Sequence, residues 1–158
     1  MRAKNKDFFE DEKHLDAKDL CFGIVVSNWN KEITDNMYEG CYSTLIKSGV
    51  KKDNIITNHV PGGFELVFGA KKMDKNNVDA IICIGSVIQG ETKHFDFISN
   101  AVSNGIKDLN ISLDIPVVFG VLTDNNIKQA ESRSGGKNGN KGVEAAITAI
   151  KMAILNKH

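Results

Sequence analysis

The chain has 158 residues, of which 41% are hydrophobic and 25% charged; that is the length of one domain and the composition of an ordinary globular protein with a core of its own. Twenty Lys and Arg balance twenty Asp and Glu, which argues against a nucleic-acid binder and against a membrane-surface protein. No apolar run approaches the length of a spanning helix, and the charged start MRAKNKDFFEDEKHLDAKDL is unlike a secretory signal. Cys21, Cys41 and Cys83 are odd in number and lack a CxxC pair, so they read as buried thiols in a reducing cytoplasm, with no disulfide framework and no metal site.

Residues 1–19 are polar apart from Phe8 and Phe9 and read as a mobile N-terminal arm, leaving residues 20–158 as the domain. Leu20 to Val26 is short, β-branched and nearly all apolar, as a buried parallel strand is. A loop with Trp29 follows. Helical spacing of Met37, Cys41, Leu45 and Ile46 predicts a helix from Thr34 to Ser48, with Gly49 as C-cap. Asn54 to Val60 is a second strand, stopped by Pro61-Gly62-Gly63, and Phe64 to Met73 is helical again. Ala80 to Ile88 is a third strand. Ile98, Val102, Ile106 and Leu109 share one face of a helix from about His94, and Pro116 to Leu122 is a fourth strand. A short helix over 125–132, a glycine-rich break at 135–140 and a last helix from Lys141, with Val143, Ile147, Ile150 and Ile154 on one face, complete the chain. Strands alternating with helices predict an α/β fold: three layers, α/β/α, around a four-stranded parallel sheet.

In such sheets ligands bind beyond the carboxyl ends of the strands, which singles out the loops at 27–30, 61–65, 89–94 and 123–125. Gly85 to Thr92 has P-loop spacing, but Glu91 stands where the phosphate-binding lysine belongs, so a nucleoside triphosphate is rejected. Gly90 and Thr92 precede a helix, whose free N–H groups suit a smaller phosphate, although Thr92 can equally be a plain helix cap. His94, in the first turn, lies where the helix dipole favours the neutral imidazole, a proton acceptor; a surface histidine is the bland alternative. Trp29 offers a face for a flat heterocycle or a lid over the core. Glu65 can accept ligand hydroxyls or merely complement a helix dipole, and Arg133 and Lys141 can neutralise an anion or be solvated.

Taken together, GIVVSNWN (23–30), VPGGFEL (60–66), GSVIQGETKHFDF (85–97), PVVFGVLTDNNIKQAESR (116–133) and GNKGVEAA (139–146) closely resemble the lumazine synthase family. The resemblance spans about residues 20–155. It implies a flavodoxin-like fold and the penultimate step of riboflavin biosynthesis, a transferase reaction. There, 5-amino-6-(ribitylamino)pyrimidinedione condenses with 3,4-dihydroxy-2-butanone 4-phosphate, without metal or organic cofactor. It further implies that Trp29 stacks on the pyrimidinedione and that Gly63, Phe64 and Glu65 hold the ribityl chain. Val87 and Ile88 meet the heterocycle, Glu91 and Thr92 hold the butanone phosphate, and His94 shuttles protons. Phe119, Arg133, Lys141 and Glu144 form a wall from a neighbouring subunit, with Arg133 as the catalytic counter-charge of the phosphate. The same resemblance implies a homo-oligomer built from pentamers, with a sixty-subunit shell favoured, and a riboflavin synthase as a candidate partner. Two positions depart from it: Gln89 replaces a common arginine, and Gly63 replaces alanine or serine. A lumazine- or flavin-binding relative, an archaeal-type riboflavin synthase on the same scaffold and a shell used mainly for assembly are the competing readings. His94 and Arg133, which a pure binder does not need, favour the enzyme.

Overall fold

The computed structural model describes residues 15–158. Residues 1–14, most of the expected arm, lie outside the described residues. At the other end of that segment Ala17 is buried, and its N–H donates to the Ser48 carbonyl at 2.9 Å. The packed part of the chain thus begins before residue 20.

Four parallel strands, β1 (Phe22–Ser27), β2 (Ile55–Val60), β3 (Ala80–Ile88) and β4 (Val117–Asp124), stand in the order β2-β1-β3-β4. In register, Phe22 lies opposite Ile55 and Ala80, and Ile81 opposite Val117. Every residue of β1 is buried, as a central strand covered on both faces must be. β2 carries no fully buried side chain and forms one edge of the sheet.

The alternating side chains build two cores. Phe22, Ile24, Val26, Ile82, Ile84, Val118 and Leu122 face helices α1 (Lys31–Lys47) and α5 (Lys141–Asn156). Val25, Ile81, Cys83, Val117 and Val121 face α2 (Leu66–Met73) and α3 (His94–Ser112). Three layers, α/β/α, result as anticipated. α5 buries Ala145, Ala146, Ala149 and Ala153 beside Ile147 and Ile150, and these short side chains let it lie close to α1. A Cβ added at Gly142 would sit on the Met37 carbonyl oxygen.

Most element ends move by one to three residues from their sequence-based positions. β1 and β4 run on into Ser27, Thr123 and Asp124, because ladder bonding continues past the apolar stretch. The short helix is α4 (Ile127–Arg133), capped by Asn126, whose side chain accepts from the Gln129 N–H at 3.0 Å. The glycine-rich stretch expected to be a break is instead a small antiparallel pair, β5 (Ser134–Gly136) and β6 (Gly139–Asn140). Gly135 and Gly139 have φ of 111° and 86°, the left-handed conformations that only glycine takes at little cost. Asn140 ends the hairpin and caps α5, accepting from the Gly142 N–H at 2.8 Å. Gly49 closes α1 at φ 94°, as expected.

Candidate active site

The chain crosses over in opposite directions after β1 and after β3, so the loops leaving these two neighbouring strands diverge and a crevice opens between them. A cavity of about 580 Å³ occupies that place. Each wall comes from one loop. Trp29 follows β1; Gly62, Gly63, Phe64 and Glu65 follow β2; Ser86, Val87 and Ile88 end β3; Gly90, Thr92, His94, Phe95 and Ile98 lead into and open α3. The volume is in the range of small-molecule sites, and the lining combines apolar and aromatic side chains with a few polar ones.

Trp29 is 71% exposed and Phe64 58%, so two aromatic faces stand at the mouth largely uncovered by the described residues. Glu65 sits at the N-cap position of α2, and its Oε2 lies 3.1 Å from where a Cβ on Gly62 would be. The carboxylate therefore folds back over the Pro-Gly-Gly turn. A Cβ on Gly63 would point at Val87, Ile98 and Val102, with the nearest methyl at 3.5 Å. The absent side chain of Gly63 leaves this wall open by one methyl group.

His94 is exposed on the first turn of α3, and its backbone N–H donates to Thr92 Oγ1 at 3.3 Å. The N-cap position of α3 is Lys93, which makes no side-chain cap, and Thr92 stands one residue before it, so the plain helix cap is not what Thr92 forms; the open surroundings of Gly90 leave room in front of that helix end. Eight of the residues singled out from the sequence thus line one cavity: Trp29, Gly63, Phe64, Glu65, Val87, Ile88, Thr92 and His94.

Five do not line it. Glu91 is exposed on the same loop. Phe119 is half-buried at mid-β4 and packs with the α2/α3 core. Arg133 ends α4, and Lys141 and Glu144 pair across the first turn of α5 at 3.5 Å. Asp124 approaches Arg133 from the end of β4. Burial pushes its carboxyl above the usual carboxylate range, and the Arg133 guanidinium opposes that shift. Asp124 Oδ2 and the hydroxyls of Ser27 and Ser86 are buried with no hydrogen-bond partner among the described residues.

The sequence did not single out Phe95, whose position beside His94 in the first turn of α3 was the available signal. Nor did it single out His59, near the end of β2. Its ring lies 3.2 Å from the Asn28 carboxamide oxygen, next to Trp29.

The family model for 6,7-dimethyl-8-ribityllumazine synthase matches residues 19–157. The chain belongs to this family. Curated relatives named 6,7-dimethyl-8-ribityllumazine synthase are similar over most of their length. The chain is 60% identical to that of Christiangramia forsetii over 143 residues, covering 89% of this chain and 85% of the relative. It is 56% identical to that of Flavobacterium johnsoniae over 160 residues, 99% of this chain and 84% of the relative. It is 60% identical to that of Cytophaga hutchinsonii over 132 residues, 83% of each. The lumazine synthase match takes in every site loop and α4, the β5–β6 hairpin and α5 alike. Among the described residues no group of His, Cys, Asp and Glu is arranged to hold a metal, and no helix is long and apolar enough to cross a membrane.

Proposed function

We propose that this chain carries out the lumazine synthase reaction in the cavity between β1, β2 and β3. The carrying observation is that Trp29, Glu65 and His94, from three separate loops, converge on one cavity at the point where the sheet's connections reverse. Trp29 stacks the pyrimidinedione, Glu65 accepts hydrogen bonds from the ribityl hydroxyls, and the backbone of Val87 and Ile88 meets the ring. The loop of Gly90, Glu91 and Thr92 holds the butanone phosphate at the N-terminus of α3, through its backbone N–H groups and not through the Glu91 carboxylate.

The chemistry follows from these placements. The 5-amino group attacks the ketone, and loss of water leaves an imine. A proton is removed from the carbon next to it, and phosphate departs with the C–O bonding electrons. The enol formed tautomerises to a ketone, the ribityl-bearing nitrogen adds to that carbonyl, and loss of a second water closes the ring. His94 moves the proton. Arg133 and the α3 N-terminus stabilise the departing phosphate. Holding two substrates face to face is itself worth about 7–11 kcal/mol of barrier.

Arg133, Lys141, Glu144 and Phe119 lie outside the cavity of their own chain, and its mouth is open above Trp29. Both facts support a site completed by a neighbouring copy in a head-to-tail ring of five, with a sixty-subunit shell as the larger assembly and the cytoplasm as its place. A riboflavin synthase, consuming the product, is the natural partner.

Mixing the two substrates with the protein and following product absorbance and fluorescence tests the reaction. His94→Ala should slow turnover about 10- to 1000-fold. The shared site is tested by refolding His94→Ala and Arg133→Ala together. Random mixing in a ring gives about a quarter of sites both intact groups, so activity should rise towards a quarter of wild type. Recovery no greater than the mean of the two single variants, in rings shown by mass spectrometry to be mixed, refutes sharing.

A further inference from the structure

The Trp29 ring is too exposed to be aimed by packing, at 71%. Its direction has to come from the backbone on either side. Both neighbours are tied, and each to a different strand. The Asn28 N–H donates to the Val60 carbonyl at 2.8 Å, extending the β1–β2 ladder by one bond. Asn30 takes a left-handed conformation at φ 55°, and its Nδ2 donates to the Ser86 carbonyl on β3 at 2.9 Å. The Trp29 peptide therefore bridges the crevice between the β2 and β3 sides.

One tie is made by a side chain that the reaction itself does not use. His59 Nδ1 lies 3.2 Å from Asn28 Oδ1. Asn28 Oδ1 is an acceptor, so this bond requires the proton on Nδ1. The imidazole is set against the Tyr38 ring of α1, with centroids 6.4 Å apart. The Tyr38 hydroxyl is in turn within 3.1 Å of Thr57 Oγ1, two residues before His59 on the same face of β2. His59 immediately precedes Val60-Pro61-Gly62-Gly63, the turn that carries Phe64 and Glu65. The His59–Asn28 bond thus adds a side-chain link to the Asn28–Val60 backbone bond in coupling the loop bearing the stacking face to the loop bearing the polyol site.

We propose that His59 is a positioning residue for the heterocycle: through Asn28 it fixes the Trp29 loop against the β2–α2 turn, so that stacking face and ribityl site are held at one spacing. This rests on the proposed placement of the pyrimidinedione on Trp29. It makes His59 a determinant of pyrimidine affinity rather than of proton transfer.

Trp29 is the only tryptophan, so its emission reports this loop whether or not turnover occurs. In the assembled protein, His59→Ala should lower Trp29 anisotropy and raise its acrylamide quenching. The KM for the pyrimidine should rise about 2- to 12-fold, the ratio expected for one net hydrogen bond, with kcat changed less than about twofold. His59→Asn, which keeps an N–H donor at the Nδ1 position, should restore both readouts. Asn28→Ala should reproduce the His59→Ala effect, and the double variant should be no worse than either single one. Unchanged quenching in His59→Ala overturns the strap. Altered quenching with unchanged pyrimidine KM shows that the strap exists but that the ring does not stack on Trp29, and overturns the positioning role. If His59→Ala fails to assemble, Asn28→Ala decides alone, by the same two readouts.

Discussion

Gly63 is the place where the cavity wall can be changed by a single methyl group, and the geometry sets the sign of the effect. Its φ is not positive, so alanine meets no backbone strain. The added Cβ would lie 3.5 Å from Val87 Cγ2, 3.9 Å from Ile98 Cγ2 and 4.0 Å from Val102 Cγ2, which is ordinary contact with three apolar groups. Removing glycine's freedom from the unfolded chain contributes about 0.4–1 kcal/mol. Burying the methyl adds up to about 0.8 kcal/mol. Gly63→Ala should therefore stabilise the folded subunit by about 1 to 2 kcal/mol, or about 2–8 °C in Tm for a chain of this size. The stiffer turn should also hold Phe64 and Glu65 more firmly, lowering the KM for the ribityl-bearing pyrimidine. The control is the same substitution at Gly142, where a Cβ would collide with the Met37 carbonyl oxygen and two further backbone atoms at 2.6 and 2.9 Å. Backbone cannot swing aside as a side chain can, and α5 would have to leave α1, a loss of about 1–3 kcal/mol or more. Denaturant unfolding followed by far-UV circular dichroism measures both. A destabilised Gly63→Ala protein, or equal effects at the two glycines, would refute the steric reasoning.

Two further outcomes follow from buried titratable groups. Burial raises the Asp124 carboxyl above its unfolded value, so between the unfolded and folded values the native state holds more protons, and stability falls as pH rises through that window. Asp124→Asn should remove this slope; an unchanged pH profile of urea unfolding from the acid range to neutrality would sink the argument. Cys83 is pushed up to about 12 and Cys41 is raised further, both by burial alone. Neither should react with a thiol reagent in the native protein at pH 8, and both should react in denaturant, as counted by mass spectrometry.

The layers were legible because a buried parallel strand and an amphipathic helix differ in length and period. Ala80 to Ile88 is bounded by polar residues on both sides, and its limits hold to the residue. The strand ends nearest the site were harder to read, since Ser27, Thr123 and Asp124 are polar yet remain in the ladder. The β5–β6 hairpin was hidden by its own glycines, which signal a break and a tight turn alike. His59 was missed because its partner, Asn28, is 31 residues away and no periodicity marks a contact between two loops. Convergence of the loops followed from topology, whereas the positions of Phe119, Arg133, Lys141 and Glu144 outside the cavity follow from β4 and its successors turning away to the far side of the switch point.

The contrast between the two neighbouring strands β1 and β2 has a consequence for how the cavity breathes. β1 is buried at all six positions and hydrogen-bonded on both sides, so its amides can exchange with solvent only when the whole domain opens. Among the described residues β2 is paired on one side only, and it has no fully buried side chain, so its amides exchange through local fraying at a much lower cost. The cavity spans the two. Its floor, at the ends of β1 and β3, belongs to the slowest-exchanging part of the molecule, and the rim after β2 belongs to the fastest. Deuterium uptake should therefore split within the site itself: a ligand that seats on Trp29 and Glu65 together should slow exchange on the β2 side by far more than on β3, where little protection remains to be gained.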